Sequence, residues 1–289
     1  MKRQYFVLAI GVIAVSFAAI FIKLAEAPFL VIAAYRMGLA ALVIIPLAWL
    51  RAGSELRSLS RQTIILALIS GAFLALHFGL WIASLSYTSV ATSVILVTTT
   101  PIFVAIASYF LLHEKLSKQT GVGIAISLFG SILIGYGNWK LGPGSLFGGA
   151  LALLGALAVV GYMLIGRRLM RNLSLLSYIS LAYGSAAALL LLSALISGHH
   201  LVGYSTNTYI MLVLLAVVPQ LIGHSSVNWS LRFISATLVT VAVLGEPVGA
   251  TALAILILKE TPTVSEIGGG ILILAGIFIA FSKNETLQE

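Results

Sequence analysis

Ten apolar runs alternate with short polar connections along the chain, at about 5–22, 28–50, 63–86, 89–112, 120–138, 146–166, 175–197, 207–231, 234–258 and 265–282. A helix needs roughly 20 mostly apolar residues to cross a bilayer, and each run is near that length. Lipid offers the backbone no hydrogen-bond partners, so such segments cross as helices. The pattern predicts an all-α membrane protein of ten transmembrane helices. The longest connections, near 51–62 and 198–206, leave no room for a soluble domain. Binding or chemistry therefore has to lie inside the helical bundle.

The basic residues between the runs set the orientation. With the N-terminus in the cytoplasm, the inside segments hold Lys2, Arg3, Arg51, Arg57, Arg61, Lys115, Lys118, Arg167, Arg168, Arg171, Arg232 and Lys283. The outside segments hold only Lys23, Lys140 and Lys259. This bias is what the positive-inside rule requires. An even number of spans returns the C-terminus to the cytoplasm.

Composition agrees and excludes other classes. Of 289 residues, 60% are hydrophobic and 8% charged, against about 25% charged in soluble domains. The net charge of +8 would suggest nucleic acid in a soluble protein; here it sits in loops, so no nucleic-acid partner is expected. Cysteine is absent, which excludes disulfides and thiol chemistry. Lys2 and Arg3 before an apolar run, with Ala25-Glu26-Ala27 after it, resemble a cleavable signal. Pro28 at the cut site argues against cleavage, and so does a counterpart of the segment in the second half.

That second half repeats the first. Thr100-Pro101 and the run from Tyr109 to Lys115 match Glu246-Pro247 and the run from Ile255 to Thr261 at one constant offset. Ser84-Leu85 and Ser89 match Ser230-Leu231 and Ser235 at the same offset, as do Gly123 with Gly269 and Gly130 with Gly276. With a small shift, Ala34-Tyr35 matches Ala182-Tyr183, and Lys23 matches Arg167. Each half, 1–144 and 145–289, holds five spans. An odd number makes the second half insert upside down, so the expectation is two inverted five-helix repeats. Inverted repeats mark secondary transporters, whose substrate site lies at the repeat interface near the membrane midplane.

A mid-span Pro followed by an apolar run ending in Glu, once per half, resembles the drug/metabolite transporter superfamily in its ten-helix EamA-type branch. The segments that carry the likeness are Thr100-Pro101 through Ser117 and Glu246-Pro247 through Pro262. The resemblance implies a central cavity between the halves and a bacterial or archaeal inner-membrane exporter of amino acids or other metabolites. Two departures stand out: Thr100 replaces the acid found at Glu246, and Thr261 replaces the basic residue after the loop Glu.

Ionisable residues inside spans are costly and need partners or a wet cavity. Glu246, in the ninth span, is the only carboxylate deep in the membrane. Such burial disfavours a carboxylate's charged form, and a group titrating near working pH suits proton coupling. A structural role beside Pro247, bonding freed backbone groups, fits as well. Gln220, His224 and Asn228 recur at i, i+4 and i+8 on the eighth span, which places them on one face. Pro219 predicts a kink beside them, and the face is a candidate cavity wall or a dry hydrogen-bond network. On the third span His77, Trp81 and Ser84 share a face suited to an amphipathic substrate; bonding of His77 to a neighbouring helix and packing of Trp81 in lipid or core explain them equally. Thr98, Thr99 and Thr100 can satisfy the carbonyl that Pro101 frees, with Thr99 as a candidate substrate contact. Arg36, in the second span, has three options: to snorkel outward, to pair with Glu246, or to hold a substrate carboxylate. Tyr183, a candidate substrate contact, and its counterpart Tyr35 are placed either to flank the repeat axis or to sit at the interface. Gly268, Gly269 and Gly270 suit close helix packing.

The leading expectation is a transporter working by alternating access, with Pro101, Pro219 and Pro247 as hinges. Its partners are a small-molecule substrate and membrane lipids, as a monomer or homodimer. No Gly-x4-Gly-Lys-Ser/Thr loop is present, His199 and His200 lack further ligands for a metal, and no cofactor is implied. The alternatives are an uncoupled importer of the same fold and an intramembrane lipid-modifying enzyme, which would need His77, His224 and Glu246 to converge.

Overall fold

The computed structural model describes residues 2–112, 118–230, 233, 239 and 242–281. His113, Glu114, Lys115, Leu116, Ser117, Leu231, Arg232, Ser235 and Lys283, all used above, lie outside them. Six helical stretches are long and apolar enough to cross a membrane: Arg3–Leu24, Phe29–Arg57, Arg61–Ser84, Pro143–Leu169, Leu175–Ile196 and Thr206–Ser230. Four shorter apolar helices, Val90–Val104, Gly121–Gly137, Gly245–Leu258 and Val264–Ile279, fill the other places. In chain order these are the first to tenth spans, in the sequence the apolar runs predict. Large apolar side chains such as Leu42, Leu50, Phe129, Ile132, Leu192 and Ile271 face outward, as lipid requires.

Among the described residues the second span kinks at Ala52 (φ −134°, ψ 22°), and four others are interrupted or change winding. Phe17 interrupts the first span, between Lys2–Ser16 and Ala18–Leu24. The fourth divides into Val90–Val97 and Thr100–Leu112. Pro101 lacks an N–H and sits where a helix start tolerates it. The carbonyls at the break are taken by hydroxyls: Thr98 Oγ1 donates to Val94 and Ile95 oxygens at 3.0 and 2.9 Å, Thr99 Oγ1 to Leu96 O at 2.7 Å, and Thr100 Oγ1 to Val97 O at 2.8 Å. The eighth span runs Thr206–Leu215, then a π-helix Ala216–His224, then Ser225–Ser230. In the ninth, a turn at Leu244 precedes the helix Gly245–Leu253, which passes into a π-helix Ala254–Leu258.

Packing between spans follows the internal repeat. The fifth and tenth spans are repeat counterparts and pack on each other. A Cβ on Gly276 would meet the Gly123 carbonyl at 2.6 Å, and one on Gly130 would meet the Gly269 carbonyl at 2.6 Å. Sequence matching pairs Gly123 with Gly269 and Gly130 with Gly276; contact swaps the partners, which is what a two-fold axis does. Between them Ser127 Oγ donates to Ile273 O at 3.2 Å. Contacts that rise along one helix fall along the other, so the two run antiparallel. The second and seventh spans, also counterparts, pack together. So do the third on the sixth and the first on the eighth, two interfaces that the repeat interchanges. At matching places His77 meets the Gly155 carbonyl, and a Cβ on Gly11 would come within 3.2 Å of the Gly223 carbonyl. Glycine at these crossings lets helix backbones come close.

One end of the bundle is tied by charges and hydroxyls. Lys23 Nζ lies 3.3 Å from Glu260 Oε1 and donates to Thr88 O at 3.3 Å. Glu260 Oε2 accepts the Val90 N–H at 2.9 Å. Glu266 accepts from the Ser89 hydroxyl, the Thr92 hydroxyl at 2.6 Å and the Thr263 N–H at 2.7 Å. These bonds join the end of the first span, the start of the fourth and the connection between the ninth and tenth. At the opposite end Glu55 accepts the Ser174 N–H and the Ser177 hydroxyl, both at 2.7 Å.

Candidate functional site

A cavity lies where the broken fourth and ninth spans meet the third, sixth and eighth. The space within it that water-sized spheres can occupy is about 120 Å³, less than a typical small-molecule site. His77, Trp81, Thr98, Thr100, Pro101, His224, Asn228 and Glu246 line it. Most of the remaining wall is apolar: Val97, Val159, Met163, Met170, Val227 and Val243. The cavity reaches Gly166, Met170 and Tyr178, toward the end of the molecule that carries Arg167, Arg168 and Arg171.

Each polar wall residue is fixed by its helix. His77 Nδ1 lies 2.9 Å from the Gly155 carbonyl. A carbonyl only accepts, so Nδ1 carries the proton and a neutral ring keeps Nε2 as its acceptor. The close crossing at Gly155 exposes that carbonyl: a Cβ there would meet the Trp81 N at 3.4 Å. The His77 and Trp81 rings stand nearly parallel, 6.2 Å apart and 8° from coplanar, as the i, i+4 spacing on one helix face allows. Asn228 Nδ2 donates to the Tyr162 hydroxyl at 2.8 Å and reaches the Tyr183 hydroxyl at 3.5 Å. Tyr178 extends this polar patch to Ser70, hydroxyl to hydroxyl at 2.8 Å.

Glu246 sits in the first turn of the helix Gly245–Leu253, where unpaired backbone N–H groups favour a negative charge. Its carboxylate makes no hydrogen bond or ion pair among the described residues and faces the cavity. His77, His224 and Glu246 do converge on one space. No hydrogen bond links them among the described residues, and the Thr98 and Thr100 hydroxyls are committed to backbone carbonyls. Among the described residues no base stands in contact with an activated nucleophile there.

Four expected site residues, Gln220, Thr99, Arg36 and Tyr183, do not line the cavity. Gln220 is fully buried and does not line the cavity, because the π-helix winds by i→i+5 bonds and changes the angular spacing from Gln220 to His224. Thr99 lies behind Thr98 and Thr100, also buried. Arg36 is 0% exposed; it neither snorkels outward nor pairs with Glu246. Its Nε donates to Gln220 Oε1 at 2.9 Å, and its Cζ lies 4.0 Å from the Phe78 ring centre and 5.6 Å from that of Trp81. Tyr183 is buried at the edge of the Asn228 network, whereas Tyr35 donates to Leu201 O at 2.7 Å. The sixth-span wall, with Tyr162, Met163, Gly166 and Met170, and Tyr178 of the seventh were not expected from sequence. Their periodicity on an otherwise apolar helix was the available signal, and it does not separate a cavity from lipid.

Comparison with known proteins gives a consistent picture. The model of the EamA-like transporter family matches residues 2–136 and again residues 146–282. A Clostridium kluyveri protein described as an uncharacterized transporter is 28% identical over 214 residues, covering 71% of this chain and 68% of the relative. The uncharacterized transporter YdfC of Bacillus subtilis is 24% identical over 203 residues, 70% of this chain and 65% of that protein. A solved crystal structure superposes over the full length of both chains with a TM-score of 0.70 at 18% identity, which speaks to the fold alone.

Proposed function

The chain belongs to the EamA-like transporter family, and from that premise we propose that it is a secondary transporter of small amphipathic metabolites, amino acids or related solutes. It exports them from the cytoplasm by alternating access between two inverted halves. It resides in a bacterial or archaeal inner membrane with both termini cytoplasmic.

The observation that carries this reading is the cavity at the repeat junction. It is bounded by the two half-helices that begin at Thr100-Pro101 and Gly245-Glu246, one from each repeat. Broken helices meeting at a central site are the usual build of alternating-access carriers. Antiparallel packing of the fifth and tenth spans supports inversion of the halves. The cavity extends toward the basic end, which the positive-inside rule assigns to the cytoplasm, and the other end is tied through Glu260 and Glu266. An exporter loads from that side. Glu246 is the proposed proton-coupling group, and the breaks at Pro101, Pro219 and Pro247 are the proposed flexing points.

Purified protein in liposomes, assayed for flux across a panel of amino acids and related solutes, tests the transport reading. The expectation is saturable flux of at least one solute; no flux of any from well-folded protein overturns it. Glu246→Gln, compared with and without a pH gradient, tests coupling. Gradient dependence that survives the substitution removes Glu246 from that role.

A further inference from the structure

Behind the cavity wall lies a cluster of buried donors. Arg36 Nη1 and Nη2, Trp81 Nε1 and Gln220 Nε2 are all buried and have no hydrogen-bond partner among the described residues. Every one is a donor, and guanidinium and indole nitrogens cannot accept. Arg36 already uses Nε on Gln220, and Gln220 spends Oε1 on it. Phe78, 4.0 Å away, offers the guanidinium a ring face but satisfies none of its in-plane N–H groups. A buried charged donor left unpaired is costly. Among the described residues no acceptor carrying negative charge bonds this cluster; Glu246 acts on Arg36 only through space.

We propose that Arg36 and Trp81 form an anion subsite that takes the carboxylate of an organic acid. The subsite deepens the transporter reading and rests on it. A guanidinium holds a carboxylate with two parallel N–H bonds, and the Trp81 indole N–H is a third donor at hand. Trp81 lines the cavity and stands 5.6 Å from the Arg36 Cζ, so on this proposal its side chain is the partition that has to move. The single positive charge, with Glu246 in the same region, favours a monoanion over a dianion. The apolar wall of Val97, Val159, Met163 and Val227 suits an acid with an apolar body.

Binding to purified protein in detergent tests this without any flux. Hexanoate, benzoate and 3-phenylpropionate are each compared with the matching amide, with ligand-induced thermal stabilisation as the readout. A charge-assisted pair predicts that at least one acid binds about tenfold more tightly than its amide. Arg36→Gln reduces that preference to within about twofold. Arg36→Lys, which keeps the charge and loses the fork, lowers it at least about threefold and serves if the Gln variant does not fold. Glu246→Gln asks whether Arg36 instead serves as the counter-charge of Glu246. The proposal is overturned if no acid outbinds its amide in the wild type, if the preference survives at Arg36 unchanged, or if it arises only after Glu246→Gln, which would make Arg36 the counter-charge of Glu246. An acid preference in protein that transports nothing would sink the transporter reading alone.

Discussion

The Lys23 ammonium lies 3.3 Å from Glu260, and the same carboxylate caps the backbone N–H of Val90 on its other oxygen. One side chain thus ties the first span to the start of the broken fourth. The internal repeat matches Lys23 with Arg167 and Glu260 with Glu114, so the sequence carries the makings of an equivalent tie at the opposite end. Both partners are about a quarter exposed, and a pair that reaches solvent is worth only about 1 kcal/mol or less. That is enough to bias two states of similar energy without locking either.

Glu260→Gln is therefore expected to populate the state open at this end. The absence of cysteine allows a clean readout. With Thr98→Cys as reporter on the cavity wall, an impermeant thiol reagent added from the Lys23 side should label the Glu260→Gln background several-fold faster. Lys23→Gln should act in the same direction. Equal labelling rates in all three backgrounds would show that the tie closes nothing.

The contact between the fifth and tenth spans leaves no room for a methyl group. A Cβ on Gly130 or Gly269 would press on the carbonyl of the other at 2.6 or 2.7 Å, and backbone cannot rotate away. Gly130→Ala and Gly269→Ala should each destabilise the protein by about 1–3 kcal/mol. Gly121 lies on the same fifth span with nothing near its Cβ position, so Gly121→Ala should be neutral or slightly stabilising through helix propensity. Thermal unfolding in detergent compares the three. A Gly130→Ala protein as stable as Gly121→Ala would contradict this packing.

Much of the architecture was legible because lipid enforces it. Spans must be apolar and long, and repeats leave matched Pro, Glu and Gly residues, so the count, the order and the Gly123/Gly269 and Gly130/Gly276 correspondences could be read from the sequence. The polar faces of the third and eighth spans pointed to His77, Trp81, His224 and Asn228, all on the cavity. Gln220 takes the dry hydrogen-bonding alternative through Arg36, and Pro219 is accommodated by π winding that the i, i+4 spacing alone does not reveal. The direction of Arg36 depends on which neighbours offer ring faces and acceptors, here Phe78, Trp81 and Gln220 from two other spans. No one-dimensional pattern encodes that, nor does it separate the Tyr162 and Met163 wall from a lipid face.

His77 serves structure through one nitrogen and offers the other to the cavity, and the two roles separate by substitution. Asn presents its side-chain amide N–H near the position of Nδ1, so His77→Asn should keep the bond to the Gly155 carbonyl while removing the ring and Nε2. His77→Leu removes the donor as well and leaves that carbonyl facing an apolar group, at a cost of about 1–3 kcal/mol. Thermal unfolding should therefore rank wild type near His77→Asn and both above His77→Leu. Solute flux should fall at least about tenfold in both variants, because each loses the stacked ring beside Trp81 and the acceptor nitrogen. If His77→Asn transports like the wild type, His77 is a helix-packing residue only, and the substrate site moves to the Asn228 and Glu246 side of the cavity.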